Sequence, residues 1–186
     1  PKKKSKKKFK LGLPPAALVF TGDEKIADVD ITIITYDHEG FKEEVISLDQ
    51  LPEVLSTKRK VLWIDIDGLH DVDLIEKIGA VFSIHRLTLE DILNVHQRPK
   101  MEVFDAYIFA VLKMIHCPTP ESEIEEEQIS FLLMDDVLVT FQEKKGDVFT
   151  YVRERIVEFK GNIRKRSGDY LLYALLDAVI DNYFLV

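Results

Sequence analysis

Two apolar segments that alternate with polar residues flank the dipeptide Asp135-Asp136. The first covers Gln128–Met134 and the second covers Val137–Gln142. Alternation places every second side chain on one face of a strand, so the pattern predicts two strands joined by a tight turn. The apolar positions are Ile129, Phe131, Leu133, Val137, Val139 and Phe141. A weaker pair, Glu102–Phe104 and Tyr107–Ile115, precedes them, and the four segments together predict an antiparallel meander.

The rest of the chain predicts further strands and a set of helices. Strand-like runs cover Asp28–Tyr36, Phe41–Leu48 and Val61–Ile66. Apolar residues at helical spacing predict helices over Leu48–Leu55, Asp71–Phe82, Leu89–Asn94, Val148–Phe159 and Ser167–Val186. The acidic connector Pro118–Glu127 is expected to be an exposed loop. This order predicts an α/β fold in which helices cover a mixed parallel and antiparallel sheet.

Charge is distributed unevenly along the 186 residues. Pro1–Lys10 contains seven lysines and no acidic residue, and we expect it to be a disordered basic tail. The remaining 18 basic and 33 acidic residues give the body of the chain a formal charge of −15. An acidic body argues against a nucleic-acid surface and favours binding of cations or of a positively charged partner.

Several classes of function lack their sequence signatures. Cys117 is the single cysteine, so neither a disulfide within the chain nor a cysteine-based zinc cage can form. The phosphate-binding loop, the GxSxG elbow and the HExxH motif do not occur, and we expect no enzyme activity. Asp65 and Asp67 end a predicted strand, where an ordinary turn is the favoured interpretation. No run of about 18 apolar residues predicts a membrane span.

Carboxylates are the remaining candidates for chemistry. Glu90 and Asp91 are adjacent in a short helical segment whose apolar residues face a core, so both are expected to point outward. Asp177 and Asp181 have i, i+4 spacing and share one face of the last helix. Hard cations such as Mg²⁺ take oxygen ligands and keep several waters, and these carboxylates suit that requirement. Solvated helix faces give the same pattern, and the residues alone leave both interpretations open.

Separated motifs in this chain resemble the cytosolic domain of the CorA magnesium channels. They are Gly12–Pro15, Leu89–Asn94, Gln97–Lys100, Phe141–Lys144, Tyr170–Ala178 and Asp181–Phe184. The resemblance implies an α/β/α sandwich over residues 11–165, after the tail of residues 1–10. Residues 166–186 would form a helix that leads toward a stalk and membrane helices, both absent from this chain. Because the last turn is wholly apolar and uncapped, we expect this helix to continue in a longer protein.

The resemblance also implies a function. The full-length protein would be a homopentameric integral membrane protein, and this fragment would be its soluble regulatory domain at the cytoplasmic face of the inner membrane. Mg²⁺, with Co²⁺ or Ni²⁺ as possible alternatives, would be both the transported ion and the regulatory ligand. Asp91 would be the leading metal ligand, Glu90 and Asp177 would form an adjacent site, and a further ligand would come from the neighbouring subunit beyond residue 186.

A related zinc transporter built on the same scaffold is the alternative function. The five histidines show no i, i+4 pairs and the chain has one cysteine, which argues against imidazole or thiolate zinc sites. In both cases the expected partners are identical subunits and divalent cations. Nucleic acid is not expected as a partner, and the membrane is expected to be reached only through helices missing from this chain.

Overall fold

A computed structural model describes residues 12, 14–56, 61–116 and 124–184 of the chain. Within this part, seven strands form one sheet. The strands are β1 (Asp30–Tyr36), β2 (Phe41–Ile46), β3 (Val61–Asp67), β4 (Lys100–Val103), β5 (Ile108–His116), β6 (Glu125–Met134) and β7 (Val137–Gln142). The helices are α1 (Leu51–Ser56), α2 (Val72–Val81), α3 (Arg86–Leu93), α4 (Thr150–Val157) and α5 (Gly168–Asn182), with short 3₁₀ turns at Leu48–Gln50 and Ile163–Lys165.

The sheet is mixed, as the sequence predicts. Its strand order is β2-β1-β3-β7-β6-β5-β4. β3 and β7 run parallel at its centre, and all other neighbouring strands are antiparallel. The parallel pair requires a long crossover connection, and α2, α3 and the β4–β6 meander supply it.

Helices cover both faces of the sheet. Alternating residues of β1 show this division, because Ile31 and Ile33 belong to one core and Ile34 and Tyr36 to the other. The first core also contains residues of α1, α2 and α3, and the second contains residues of α4 and α5. The α/β/α sandwich predicted from the sequence is confirmed.

Three elements begin two or more residues earlier than the sequence predicts. α3 begins at Arg86, three residues before the predicted start, because the His85 side chain accepts the Leu87 N–H and caps the helix. β4 begins at Lys100, two residues before its predicted start. β6 begins at Glu125, so the last three residues of the predicted loop belong to a strand, although Glu125 and Glu126 are exposed as expected.

Glu127 illustrates why the acidic connector misled the prediction. Its side chain is buried, and one carboxylate oxygen accepts the backbone N–H groups of Glu143 and Lys144. Pairing of β6 with β5 therefore extends as far as Glu125 opposite His116. The basic tail of residues 1–10, the rest of the connector up to Glu123, and the end of the last helix at residues 185–186 lie outside the described residues.

Candidate functional site

The short helix α3 positions the two adjacent carboxylates. Leu89, Ile92 and Leu93 are buried in the core beneath it, and this orientation places Glu90 and Asp91 at the margin of the core. Gly79 of α2 allows the close approach of the two helices, because a Cβ at this position would lie 2.4 Å from Cδ1 of Leu89.

Asp91 is only partly exposed and is already bonded within the chain. Its side chain is 19% exposed, and its Oδ2 lies 2.7 Å from the ammonium nitrogen of Lys100. The Gln97 amide donates a hydrogen bond to Oδ1 of Asp91. The expectation that Asp91 faces solvent is therefore only partly correct, since both of its oxygens have protein partners.

Lys100 is held between two carboxylates. Besides Asp91, its Nζ contacts Oε2 of Glu102 at 3.0 Å. Burial by itself lowers the pKa of Lys100, but the hydrogen bonds and charges of Asp91 and Glu102 outweigh it, and the net shift of the pKa is upward. The ammonium group therefore stays charged at neutral pH.

Glu90 fixes the position of the segment around Ala16, which precedes β1. Its Oε2 accepts the backbone N–H of Ala16 at 2.8 Å. A pocket of about 380 Å³ opens beside it, lined by His85, Leu87, Thr88, Glu90, Asp91, Glu102 and Phe104. Three of these seven residues are acidic, so the pocket favours a cation over an anion.

Asp177 lies on the opposite face of the sheet from Glu90 and Asp91. It is exposed on α5, whose buried residues Leu171, Leu175 and Val179 pack in the second core. Asp177 and Asp181 line a separate groove of about 710 Å³. Within one chain, therefore, the structure brings Glu90 and Asp91 together and leaves Asp177 apart from them.

A single chain does not complete a metal site from these residues. Among the residues that the structure describes, no group of three or more histidine, cysteine, aspartate or glutamate side chains is arranged to hold a metal ion. The carboxylate oxygens at α3 have the right chemistry for Mg²⁺, which is usually bound through one or two carboxylates and keeps several waters.

A buried polar cluster that sequence reasoning underestimated lies where β3 meets α4. The Asp65 carboxylate is 3% exposed and accepts hydrogen bonds from Thr140 and Gln142 while Arg153 pairs with it at 2.5 Å. Arg153 also pairs with Asp147. An ordinary strand-end turn is therefore the wrong interpretation of Asp65, whose partner on α4 is 88 residues away along the chain.

Asp67 belongs to the same cluster but has a different environment. Its Oδ1 is buried and has no hydrogen-bond partner among the residues that the structure describes. Burial, with smaller contributions from the charges of Asp65 and Asp147, raises the pKa of Asp67 to about 7, against the opposing charges of Arg153 and Lys145. The contacts of Arg153 with Asp65 and Asp147 join α4 to β3, so this cluster supports the fold.

Comparison with known proteins identifies the family. The family model described as CorA-like Mg²⁺ transporter protein matches residues 58–186. The chain is 46% identical over 179 residues to the cobalt/magnesium transport protein CorA of Thermotoga maritima, an alignment that covers 95% of this chain and 50% of that protein. The chain belongs to the CorA family. A putative metal ion transporter of Bacillus subtilis is 27% identical over 84% of this chain and 46% of its own length.

Solved structures of CorA proteins share the fold of this chain. The soluble domain of CorA from Methanocaldococcus jannaschii matches with a TM-score of 0.59 and 18% identity, over 87% of this chain and 59% of that one. The cytoplasmic domain of ZntB from Vibrio parahaemolyticus matches with a TM-score of 0.63 and 16% identity, over 86% and 61%. The fold therefore occurs in proteins with different names.

The chain covers only part of its CorA relatives. It spans about half the length of the two curated relatives described above. In the part of the chain that the structure describes, no helix combines the length and apolar character needed to cross a bilayer.

Proposed function

We propose that this chain is the cytosolic regulatory domain of a CorA-type Mg²⁺ transporter. In this proposal it senses intracellular divalent cations at the contacts between identical subunits and controls the opening of a pore formed elsewhere in the full-length protein. Residues 11–165 form the sensing domain, and residues 166–186 lead toward the stalk. Membership of the CorA family and the 46% identity to a cobalt/magnesium transport protein support the class of function.

The placement of the carboxylates on opposite faces of one domain carries the proposal. Glu90 and Asp91 extend from α3 on one side of the sheet, and Asp177 from α5 on the other. In a ring of identical subunits each contact joins two different surfaces, one from each neighbour. A ring contact of this kind would bring Asp91 and Glu90 of one subunit toward Asp177 of the next, and five such contacts complete a homopentamer.

The contacts between neighbouring subunits need cations because the surfaces that meet there are acidic. The body of each chain carries a formal charge of −15, so acidic surfaces that meet in a ring repel one another. A divalent cation between facing carboxylates offsets this repulsion through direct and water-mediated oxygen contacts. Mg²⁺ is the expected ion in the cell, and Co²⁺ or Ni²⁺ are expected to bind the same oxygen ligands.

Linkage connects cation binding to the pore. A cation that binds the closely packed ring better than a loosened ring shifts the equilibrium toward the packed arrangement. If the packed ring corresponds to the closed pore, abundant Mg²⁺ keeps transport off and its depletion allows opening. In this proposal the domain lies at the cytoplasmic face of the membrane, where it samples the intracellular ion.

The test is Mg²⁺ binding to the full-length protein by isothermal titration calorimetry, with a transport assay in parallel. Asp91→Ala and Asp177→Ala are each expected to weaken Mg²⁺ binding about tenfold and to reduce closure by internal Mg²⁺. Asp49→Ala removes an exposed carboxylate remote from both pockets and is the matched control, expected to bind like the parent protein. Unchanged binding and gating in the Asp91 variant would refute the ligand assignment.

Zinc transport on the same scaffold is tested separately. The described residues contain no cluster of histidine and cysteine side chains able to hold Zn²⁺, and the favoured ion is therefore Mg²⁺. Flux of Zn²⁺ and Mg²⁺ is compared through the same full-length protein. Faster Zn²⁺ than Mg²⁺ flux at equal concentrations would replace the proposed function with the alternative.

A further inference from the structure

Asp91, the carboxylate proposed as the leading cation ligand, is already paired with a positively charged side chain of the same chain, Lys100. Nζ of Lys100 lies 2.7 Å from Oδ2 of Asp91, and Gln97 donates to Oδ1. Both carboxylate oxygens thus have a partner before any ion arrives. The pair is largely shielded from water, since the Asp91 side chain is 19% and the Lys100 side chain 28% exposed.

The sheet determines the position of Lys100. It is the first residue of β4, and its Cα pairs with Val111 of β5. Its ammonium group also lies 5.6 Å from the centre of the Phe109 ring, close enough for a favourable cation–π contact. Because the backbone of Lys100 is fixed in the sheet, its ammonium group stays close to Asp91. Its effective concentration at Asp91 is therefore high.

A second carboxylate is available to the same ammonium group. Glu102 lies two residues further along β4, so its side chain is on the same face of the strand as that of Lys100. Its Oε2 is 3.0 Å from Nζ. Lys100 can therefore leave Asp91 and keep Glu102 as an anionic partner. The ammonium group then stays paired with a carboxylate.

We propose that Lys100 is a tethered competitor of the divalent cation at Asp91. The inference rests on the proposed sensing function and adds a determinant of its threshold. In the ion-free state Lys100 neutralises Asp91, and on binding the divalent ion takes its place while Lys100 stays with Glu102. The exchange lowers the affinity for the ion, which a sensor requires if it is to release Mg²⁺ when the ion becomes scarce.

The test variant is Lys100→Met in the full-length protein, which keeps the length of the side chain and removes its charge. Removing the competitor is expected to tighten the Kd for Mg²⁺ by up to about fivefold, the factor that corresponds to the ~1 kcal/mol of a partly exposed ion pair. Lys100→Arg keeps a competing positive charge and is expected to lack the tightening seen in Lys100→Met. Lys42→Met is the matched control, because Lys42 pairs with Glu44 at 2.7 Å on β2, at the other edge of the sheet.

Thermal unfolding of the same variants distinguishes competition from a purely structural role. In chelator, Lys100→Met is expected to have a lower Tm than the parent, because Asp91 loses its partner. In saturating Mg²⁺ this difference is expected to disappear, since the divalent ion occupies Asp91 in both proteins. An equal loss of Tm in both conditions, or an unchanged or weakened affinity for Mg²⁺, would overturn the proposal.

The Asp91 variant separates the two proposals. If Asp91→Ala weakens Mg²⁺ binding and Lys100→Met leaves it unchanged, sensing stands and competition by Lys100 is refuted. If Asp91→Ala leaves Mg²⁺ binding unchanged, the ligand assignment fails, and competition at Asp91 fails with it.

Discussion

Arg153 of α4 lies against Trp63 of β3, with its guanidinium carbon 4.6 Å from the centre of the indole ring. This stacking orients the guanidinium group toward Asp65, whose carboxylate it contacts at 2.5 Å. The contact links the helix layer to the centre of the sheet, because Asp65 is on the strand that pairs in parallel with β7.

Loss of this arginine is expected to destabilise the domain strongly. Arg153→Met leaves the buried Asp65 carboxylate without its counter-charge, which costs about 3 kcal/mol in the free energy of unfolding. Urea unfolding of the chain measures this. Arg86→Met is the control, because Arg86 pairs with Glu76 at the surface and its loss costs less than about 1 kcal/mol. A double variant with Asp65→Asn is expected to recover part of the loss, and equal effects of the two arginine variants would contradict the argument.

The buried Asp67 carboxyl predicts a stability that depends on pH. Its pKa is raised to about 7 in the folded chain, against about 3.9 in an unfolded chain. Between these values the folded state binds the extra proton, so its stabilising contribution is complete below about pH 4 and is lost as the pH rises through 7.

The measurement is urea unfolding at pH 5 and pH 8. The parent is expected to lose on the order of 2 kcal/mol more stability over this interval than Asp67→Asn, which has no proton to release. Asp105→Asn changes an exposed turn carboxylate and is expected to keep the pH dependence of the parent. Equal pH dependence in Asp67→Asn and the parent would show that Asp67 is ionised throughout.

Close packing of α2 against α3 predicts a cost for the smallest possible side chain at Gly79. A methyl group there would approach Leu89, which is buried and has little room to move. Gly79→Ala is expected to destabilise the chain by about 1–3 kcal/mol, although alanine favours helix more than glycine does. In the full-length protein it is also expected to weaken Mg²⁺ binding, because displacement of α3 carries Glu90 and Asp91 with it.

Gly40→Ala provides the matched control for this prediction. An added Cβ at Gly40 meets no atom within 4 Å, so only a small change in stability is expected. Equal unfolding free energies for the two alanine variants would show that α3 tolerates displacement.

The first turn of α3 depends on the Tyr107 hydroxyl. That oxygen accepts the backbone N–H of His85 at 3.2 Å and shares a hydrogen bond with Thr88 at 3.0 Å. Tyr107→Phe is expected to cost about 1–2 kcal/mol, because the buried Thr88 hydroxyl loses this partner. Hydrogen exchange is expected to be faster for the amides of residues 86–89. Tyr151→Phe, at a position 76% exposed, is the control and should have almost no effect.

Local periodicity determined much of the fold. The alternation of apolar and polar residues shows which side of β6 and of β7 faces a core, and the helical spacing of apolar residues shows the same for α2. Each of these patterns can be read from a few neighbouring residues. The predicted boundaries of elements were less accurate where polar residues extend a strand by pairing with another strand. Glu125 and Glu127 extend β6 because β5 offers them a partner strand, and no local pattern records that partner.

The candidate site also has features that the sequence predicts and features that only the tertiary structure shows. The sequence alone predicted that the acidic residues Glu90, Asp91 and Asp177 lie on helices, and their role as metal ligands is a prediction from the resemblance. Only the tertiary structure decided that Asp177 lies on the far face of the sheet and that Asp91 is bonded to Lys100. The physical reason is that periodicity encodes the direction of a side chain relative to its own element, whereas ion pairs and opposite faces depend on how elements distant in sequence pack together.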